Sequence, residues 1–367
     1  MTIWQCKGID FVLINNMNFY FVSGNFIRNT AYASGLAVSS LHSVFGITSR
    51  KTEENPIIGH GSYRYKVDKN WGVQDPSQFP VKDCHEMVMD KNQRLIMTTT
   101  HPKNNILIYD RSGKILKAWG TDYPGAHGLT LVEEGGEEFL FITDPSSKKV
   151  CKTTLKGDVL MTFNKPVEIP EYQDSKKFKP TETAVAPNGD IYIADGYGKD
   201  FIIQYDAKGN YIRHFGGHGK GKDQFECCHG ITVDKRDSKN PTLLITSRSA
   251  NEFKRFTMDG QHIETIKLPG CYVCRPVIKA DLIYFAVIAT NNWDNFDGMV
   301  AILDENDKVI SLPGGDKPTY IDGKLVPPVY DNKTFLNPHD VCLDNDDNIY
   351  VPQWNSNRTY PVKLERV

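Results

Sequence analysis

One histidine-headed unit recurs along this chain, and few folds accept such a repeat. It reads Cys84-His85-Glu86-Met87-Val88-Met89-Asp90, then Ala126-His127-Gly128-Leu129-Thr130-Leu131. It returns as Cys228-His229-Gly230-Ile231-Thr232-Val233-Asp234 and as Pro338-His339-Asp340-Val341-Cys342-Leu343-Asp344. Behind each histidine come an alternating stretch, a turn and a second apolar stretch, such as Leu95-Ile96-Met97, Leu243-Leu244-Ile245 or Ile349-Tyr350-Val351. Hairpins with Asp-x-x-Gly punctuation follow, as in Asp110-Arg111-Ser112-Gly113 and Asp206-Ala207-Lys208-Gly209. Alternation bounded by Gly, Asn and Asp means antiparallel strands. Four short strands in a unit of roughly 40 to 50 residues mean the blades of a propeller.

Six units can be counted, with His85, His127, Thr181, His229, Cys274 and His339 at the inner register. The sixth stops one strand short, ending in Pro361-Val362-Lys363-Leu364-Glu365-Arg366-Val367. A candidate for the missing strand lies at the other end of the chain. The stretch from Tyr63 ends in Trp71-Gly72, much as other blades end in Trp119-Gly120 and Phe215-Gly216. The expected fold class is all-β, a six-bladed β-propeller over residues 56–367, closed by an N-terminal strand that completes the last blade. Closure removes the open edges of a linear stack. Two longer segments, Asn164 to Lys179 and Gly314 to Leu336, interrupt the period and are expected to cover one face of the ring.

Residues 1–55 read differently. Ser23-Gly24-Asn25-Phe26-Ile27-Arg28 precedes a small, apolar run from Ala31 to Phe45. A positive residue, a short apolar run and small residues near its end suit an export leader of twin-arginine type whose arginine pair is lost. That predicts an exported, periplasmic or extracellular protein. An N-terminal extension on a cytoplasmic protein is the plainer alternative. The formal net charge of −2, with no basic run, gives nucleic acid no footprint. No apolar run is long enough to span a bilayer. Cys271 and Cys274 make a lone CxxC, without the second pair that a structural zinc site would use. Most of the eight cysteines are expected to be buried, free of disulfides.

The first residues of a propeller's inner strands crowd together at one mouth of its channel. His127, His229 and His339 fall on blades two, four and six, a threefold spacing that suits a divalent metal with an open position. His85, on blade one, is a fourth ligand or a hydrogen-bond partner of the others. The plainer reading is a polar channel whose histidines are satisfied by water and backbone. Spacing does not choose between zinc, iron, copper and manganese.

Four motifs in one order carry a resemblance: His127-Gly128-Leu129, Asp195-Gly196-Tyr197, His229 with Ser247-Arg248, and Pro338-His339-Asp340. Over about residues 80–367 the chain resembles the NHL-repeat propellers, and among them the peptidyl-α-hydroxyglycine α-amidating lyases. The resemblance implies a catalytic zinc on His127, His229 and His339. It makes Tyr197 a catalytic phenol, either a general base or a group that orients the substrate hydroxyl. It makes Arg248 the holder of a substrate carboxylate. It places a structural calcium on Asp340 with the backbone carbonyls of Leu129 and Met87. The implied activity is a lyase that breaks a C–N or C–O bond at a hydroxylated carbon and releases a carbonyl product. Its partner would be a small-molecule or peptide substrate with an anionic group.

The plainer alternatives are a loop aromatic for Tyr197 and a surface ion pair for Arg248. The chain also departs from the family it resembles. Thr98-Thr99-Thr100-His101 stands where the family has a second arginine, and Gly198 where it has a cysteine. His85 replaces a small hydroxyl residue, and Glu86 adds a carboxylate beside it. Two other functions stay open: a non-catalytic NHL propeller that binds a ligand or protein, and a metal-dependent hydrolase or isomerase of a small sugar or lactone.

Overall fold

The computed structural model describes residues 55–173, 177–330 and 334–367, together with a strand pair, Gln5–Cys6 and Ile9–Asp10. Residues 1–53 and 54–367 are separate units. The expected export leader, Ser23 to Phe45, lies outside the described residues.

Residues 54–367 form six antiparallel sheets arranged as a propeller. Blade one is Cys84–Met89, Leu95–Thr99, Ile106–Tyr109 and Ile115–Trp119. Blade two is Gly128–Glu134, Glu137–Asp144, Lys149–Thr154 and Val159–Phe163. Blade three runs from Glu182–Val185 through Ile191–Ala194 and Phe201–Tyr205 to Tyr211–Gly216. Blade four runs from Ile231–Asp234 through Thr242–Ser247 and Glu252–Thr257 to His262–Lys267. Blade five has a broken inner strand, Cys271–Val273 and Val277–Lys279, against Leu282–Thr290, followed by Met299–Leu303 and Val309–Ser311.

Blade six joins the two ends of this unit. Cys342–Leu343, Ile349–Val351 and Val362–Arg366 are followed in the sheet by Tyr63–Asp68, in antiparallel register with Leu364 opposite Val67. Ile57–His60 adds a fifth strand outside it. Trp71 then fastens blade six to blade one. Its ring packs 4.7 Å from Tyr350 and 5.3 Å from Tyr109, and its indole N–H donates to the Arg111 carbonyl at 3.0 Å.

The sequence periodicity has a local cause in the turns. Asp110 accepts from the backbone N–H of Ser112 and Lys114, Asp206 from Lys208 and Asn210, and Asp304 from Asn306 and Lys308. In the first two, a glycine takes the left-handed conformation that tightens the turn: Gly113 at φ 92° and Gly209 at φ 85°. Each blade lies between two neighbours, so its middle strands bury both faces. Leu95–Thr99, Ile106–Tyr109 and Met299–Leu303 are buried throughout. Six apolar clusters result, one between each pair of neighbouring blades. Ile96, Ile106 and Ile108 meet Leu140 and Ile142, and Tyr65, Val67 and Leu364 meet Tyr284, Ala286 and Val300. Such burial contributes roughly 25 cal/mol per Å² of apolar surface. The seven cysteines of residues 55–367 are free thiols, all buried except the half-buried Cys227. No helix of the described residues is long and apolar enough to cross a membrane.

Candidate metal centre

The inner strands begin in a common register at one mouth of the channel. The backbone N–H of His127, Thr181, Cys274 and His339 donates to the second strand of its own blade, at Thr143, Ala194, Ala286 and Pro352. His229 enters differently. Cys227 turns at φ 68°, and the His229 N–H donates to the Cys227 carbonyl at 2.8 Å.

The structure brings all four expected histidines together. Ring centroids are 4.6 Å apart for His85 with His127 and with His339, 4.7 Å for His127 with His229, and 4.9 Å for His229 with His339. The tightest set of three differs from the alternate-blade set, however. Ligand atoms of His85, His127 and His339 lie within 4.8 Å of one another, so these three form a cluster that can hold a metal ion. His229 stands beside it, with Nε2 3.0 Å from His127 Nε2 and 3.1 Å from the Tyr197 hydroxyl. Blade number fixes where a strand starts, but the rotamer fixes where its nitrogen ends.

The hydrogen bonds suit a metal. His127 Nδ1 lies 2.9 Å from the Thr181 carbonyl, and His339 Nδ1 lies 3.0 Å from the His85 carbonyl. A carbonyl accepts only, so each Nδ1 carries the proton and each Nε2 presents a lone pair. His85 Nδ1 lies 3.4 Å from His339 Nε2, and His229 Nδ1 is buried without a partner among the described residues. Burial, and then the Arg248 charge, push His85 down to about 3. Burial pushes His127, His229 and His339 well below the usual histidine range. Neutral imidazoles are the form that ligates metal. The donor set therefore fits a divalent transition metal.

Two further groups border the cluster. The Tyr197 hydroxyl sits 3.1 Å from both His127 Nε2 and His229 Nε2, although the residue as a whole is 41% exposed. Its loop is held by Asp195, which accepts from the N–H of Lys179 and Lys199 and from the Tyr172 hydroxyl. Tyr172 and Lys179 belong to the longer segment between blades two and three, which thus buttresses the site. Gly198 is required there, because a Cβ would lie 2.1 Å from the Asp195 carboxylate. Burial raises the Tyr197 phenol well above its usual range.

Arg248 opens a short turn after the second strand of blade four and is only 2% exposed, which rules out a surface ion pair. Its guanidinium donates to the Val273 carbonyl at 3.2 Å and approaches Cys274 Sγ at 3.2 Å. Among the described residues it has no carboxylate partner. A cavity of about 430 Å³ joins Tyr197 and Arg248 to His85, His127 and His339. Trp293 and Trp354 also line it, as do Lys82 and Asp83 at the rim. Sequence reasoning missed the tryptophans. Trp293 stands on the 291–297 loop of blade five, outside the repeat register, and no described residue of the longer Gly314 to Leu336 segment lines this cavity.

One residue further along the inner strands lies a second layer: Glu86, Gly128, Glu182, Gly230, Arg275 and Asp340. Here the structure corrects an expectation. Asp340 and the carbonyls of Leu129 and Met87 do converge, but they converge on the Arg275 guanidinium. It donates to Asp340 at 2.5 Å, Leu129 O at 2.8 Å and Met87 O at 3.4 Å, and pairs with Glu86 at 3.2 Å. The Arg275 guanidinium thus stands where the calcium was expected, on the same three oxygens. Gly230 makes room for it: a Cβ there would lie 2.6 Å from Arg275 Cα.

Comparisons with known proteins agree with this architecture. A family profile described as a 6-bladed beta-propeller matches residues 171–318. The chain is 34% identical over 108 residues to a probable peptidyl-alpha-hydroxyglycine alpha-amidating lyase of Caenorhabditis elegans, covering 29% of this chain and 30% of that protein. It is 25% identical over 191 residues to NHL repeat-containing protein 3 of Homo sapiens, covering 44% and 55%. It is 25% identical over 277 residues to peptidyl-glycine alpha-amidating monooxygenase A of Xenopus laevis, covering 72% and 28%. The chain thus spans about half or less of the length of these relatives. Among solved structures, virginiamycin B lyase from Staphylococcus aureus with quinupristin aligns at TM-score 0.54 and 15% identity, covering 83% of this chain and all of that one. A streptogramin B lyase aligns at TM-score 0.51 and 16% identity, covering 78% and 94%. At that identity the structures share the fold alone. The chain is a six-bladed propeller distantly related to NHL-repeat and amidating-lyase proteins.

Proposed function

We propose that this protein is a metal-dependent lyase acting on an anionic substrate with a hydroxylated carbon, in the manner of the peptidyl-α-hydroxyglycine α-amidating lyases. The observation that carries this reading is Arg248, a buried guanidinium without a carboxylate, lining the same cavity as the histidine cluster. A buried charge left unpaired is costly, and a substrate carboxylate would complete it with the fork geometry that arginine favours.

A divalent metal, zinc in this reading, would be held by His85, His127 and His339 with His229 beside them, and when bound it supplies Lewis acidity at a substrate oxygen. Arg248 holds the carboxylate. Tyr197 lies between two imidazoles, where it orients the substrate hydroxyl. Its phenol, raised by burial, is protonated near neutral pH, and it takes the hydroxyl proton only where nearby positive charge lowers it. As the proton leaves the hydroxyl oxygen, the carbonyl forms. The carbon–nitrogen bond breaks with its electron pair going to nitrogen, which then takes up a proton. From an acyl-hydroxyglycine the products are an amide and glyoxylate, and no water is consumed.

Glyoxylate release from α-hydroxyhippurate, measured with and without chelator, tests the reading. Activity that chelation abolishes and zinc restores is expected. Metal-loaded protein that releases no glyoxylate overturns it. Tyr197→Phe should lower kcat by about 10²- to 10⁴-fold, the usual contribution of a positioned proton-transfer group. We also propose, from the sequence of residues 1–55, that they are an export leader ahead of a propeller domain at 56–367. The intact mass of protein recovered outside the cytoplasm would show whether they are removed.

A further inference from the structure

The cavity carries a second recognition surface that the chemistry above does not use. Trp293 and Trp354 both line it, with ring centroids 6.4 Å apart and planes 35° from parallel. Trp293 is 43% exposed, although Tyr272 packs against it at 5.5 Å and the Arg248 guanidinium lies 5.8 Å from its ring centre. An indole left open to water in a cavity loses apolar burial that a ligand can recover.

The backbone that carries the two indoles is also held in place. Asp297 accepts from the Thr290 N–H at 2.8 Å, and Asn295 donates to the Thr290 carbonyl at 2.8 Å, closing the loop that carries Trp293. Asn337 ties that loop to the backbone of Trp354. Its side-chain amide donates to the Asn295 carbonyl at 3.3 Å and to the Ile288 carbonyl at 3.0 Å, while its backbone carbonyl accepts from the Trp354 backbone N–H at 2.9 Å. Two residues on, the same segment supplies His339. The aromatic wall and the histidine cluster therefore share one framework, and little ordering entropy remains to be lost on binding.

We propose that the substrate carries an aromatic ring close to its carboxylate, and that Trp293 and Trp354 are the residues that select it. The inference deepens the lyase reading and rests on it: in an acyl-hydroxyglycine the ring belongs to the acyl group. The spacing sets the chemistry. Arg248 lies 5.8 Å from the Trp293 ring centre and in the lyase reading holds the carboxylate, so ring and carboxylate would be separated by only a few bonds, as in an N-aroyl or arylacetyl derivative. A long aliphatic acyl chain would leave the indole faces without a planar partner.

The test uses hippurate and aceturate, which lack the reacting hydroxyl and differ in a benzoyl against an acetyl group. Binding is read by quenching of tryptophan fluorescence, and kcat/KM is measured for the two hydroxylated counterparts. Wild-type protein is expected to bind hippurate at least about tenfold more tightly than aceturate, the scale of burying a phenyl ring. It should show a similar preference in kcat/KM. Trp293→Leu and, independently, Trp354→Leu should shrink the ratio to within about threefold. Each variant is first shown to fold by its thermal melt. Equal binding of the two analogues, no saturable binding of hippurate, or a preference that survives both substitutions overturns the proposal. If hippurate keeps its Trp293-dependent advantage while neither hydroxylated compound is turned over, the lyase reading fails and the aromatic subsite stands.

Discussion

Two adjacent layers of the same channel solve one problem in opposite ways. The upper layer is His85, His127, His229 and His339. The lower layer, one residue along each inner strand, is Glu86, Glu182, Arg275 and Asp340 with two glycines. Both are buried and polar. The lower layer brings its own cation: Arg275 meets Asp340, Glu86 and two backbone carbonyls. The upper layer brings none. Two of its imidazoles are fixed by backbone carbonyls so that Nε2 lone pairs face inward, and one nitrogen of His229 has no partner. The lower layer holds its own cation, although Glu86 Oε1 and Glu182 Oε2 have no hydrogen-bond partner among the described residues, whereas the upper layer is a donor set without an acceptor. That contrast puts the candidate metal site in the upper layer.

The largest expected effect breaks the lower layer. Arg275→Met leaves three carboxylates buried without their cation, and removal of one partner of a buried ion pair costs about 3–5 kcal/mol. Urea unfolding should show that loss. A melt within 1 kcal/mol of wild type (about a factor of 5 in the folding constant) would mean that Arg275 is dispensable. Next comes the upper layer's missing cation. Zinc at about a hundred times its Kd should stabilise the wild type by about 2.7 kcal/mol. His127→Ala should lose that gain without losing the fold, a separation that thermal melts with and without zinc can show.

Acid should find the same layer in the metal-free protein. The four histidines have folded-state pKa values pushed below the ordinary value of 6.5, to about 3 for His85. The unfolded chain therefore binds more protons below pH 6.5, and stability is lost as pH falls from there toward the folded values. The slope is about 1.4 kcal/mol per pH unit for each histidine. Denaturant melts between pH 7.5 and 5 should steepen accordingly, and His229→Gln should flatten them by one histidine's share. An unchanged slope would place His229 outside the coupled layer. The smallest effect belongs to Arg248→Met. Removing an unpaired buried charge should leave stability within about 1 kcal/mol of wild type, or raise it, while KM for an anionic substrate rises at least about tenfold. A large loss of stability would make Arg248 a structural group.

The ring, its six inner registers and the closing strand at Tyr63–Asp68 were legible in the sequence because each repeats a local rule. Period-2 alternation, Asp-x-x-Gly turns and a terminal aromatic-Gly recur whatever the side chains do. The meeting of four histidines was legible for the same reason. Which three histidines cluster was not, because the blade fixes where a strand starts and not where a side-chain nitrogen ends, and His229 enters through a turn at Cys227. The cation on Asp340 was readable in principle: Arg275 occupies the register position of Glu86, Gly128, Glu182 and Gly230. The resemblance to a calcium-bearing family supplied a different answer at that point. Trp293 had no signal at all. It stands on a loop, and a loop residue reaches a site through tertiary folding that no repeat encodes.

The central claim is that the histidine layer is built for a metal, and zinc titration into metal-free protein tests it most directly. Competition with a chromophoric chelator should give one equivalent bound by wild type, with affinity falling by at least about a hundredfold in His127→Ala. Wild-type protein that takes up no zinc, or a His127→Ala variant that binds it as tightly as wild type, would contradict the account.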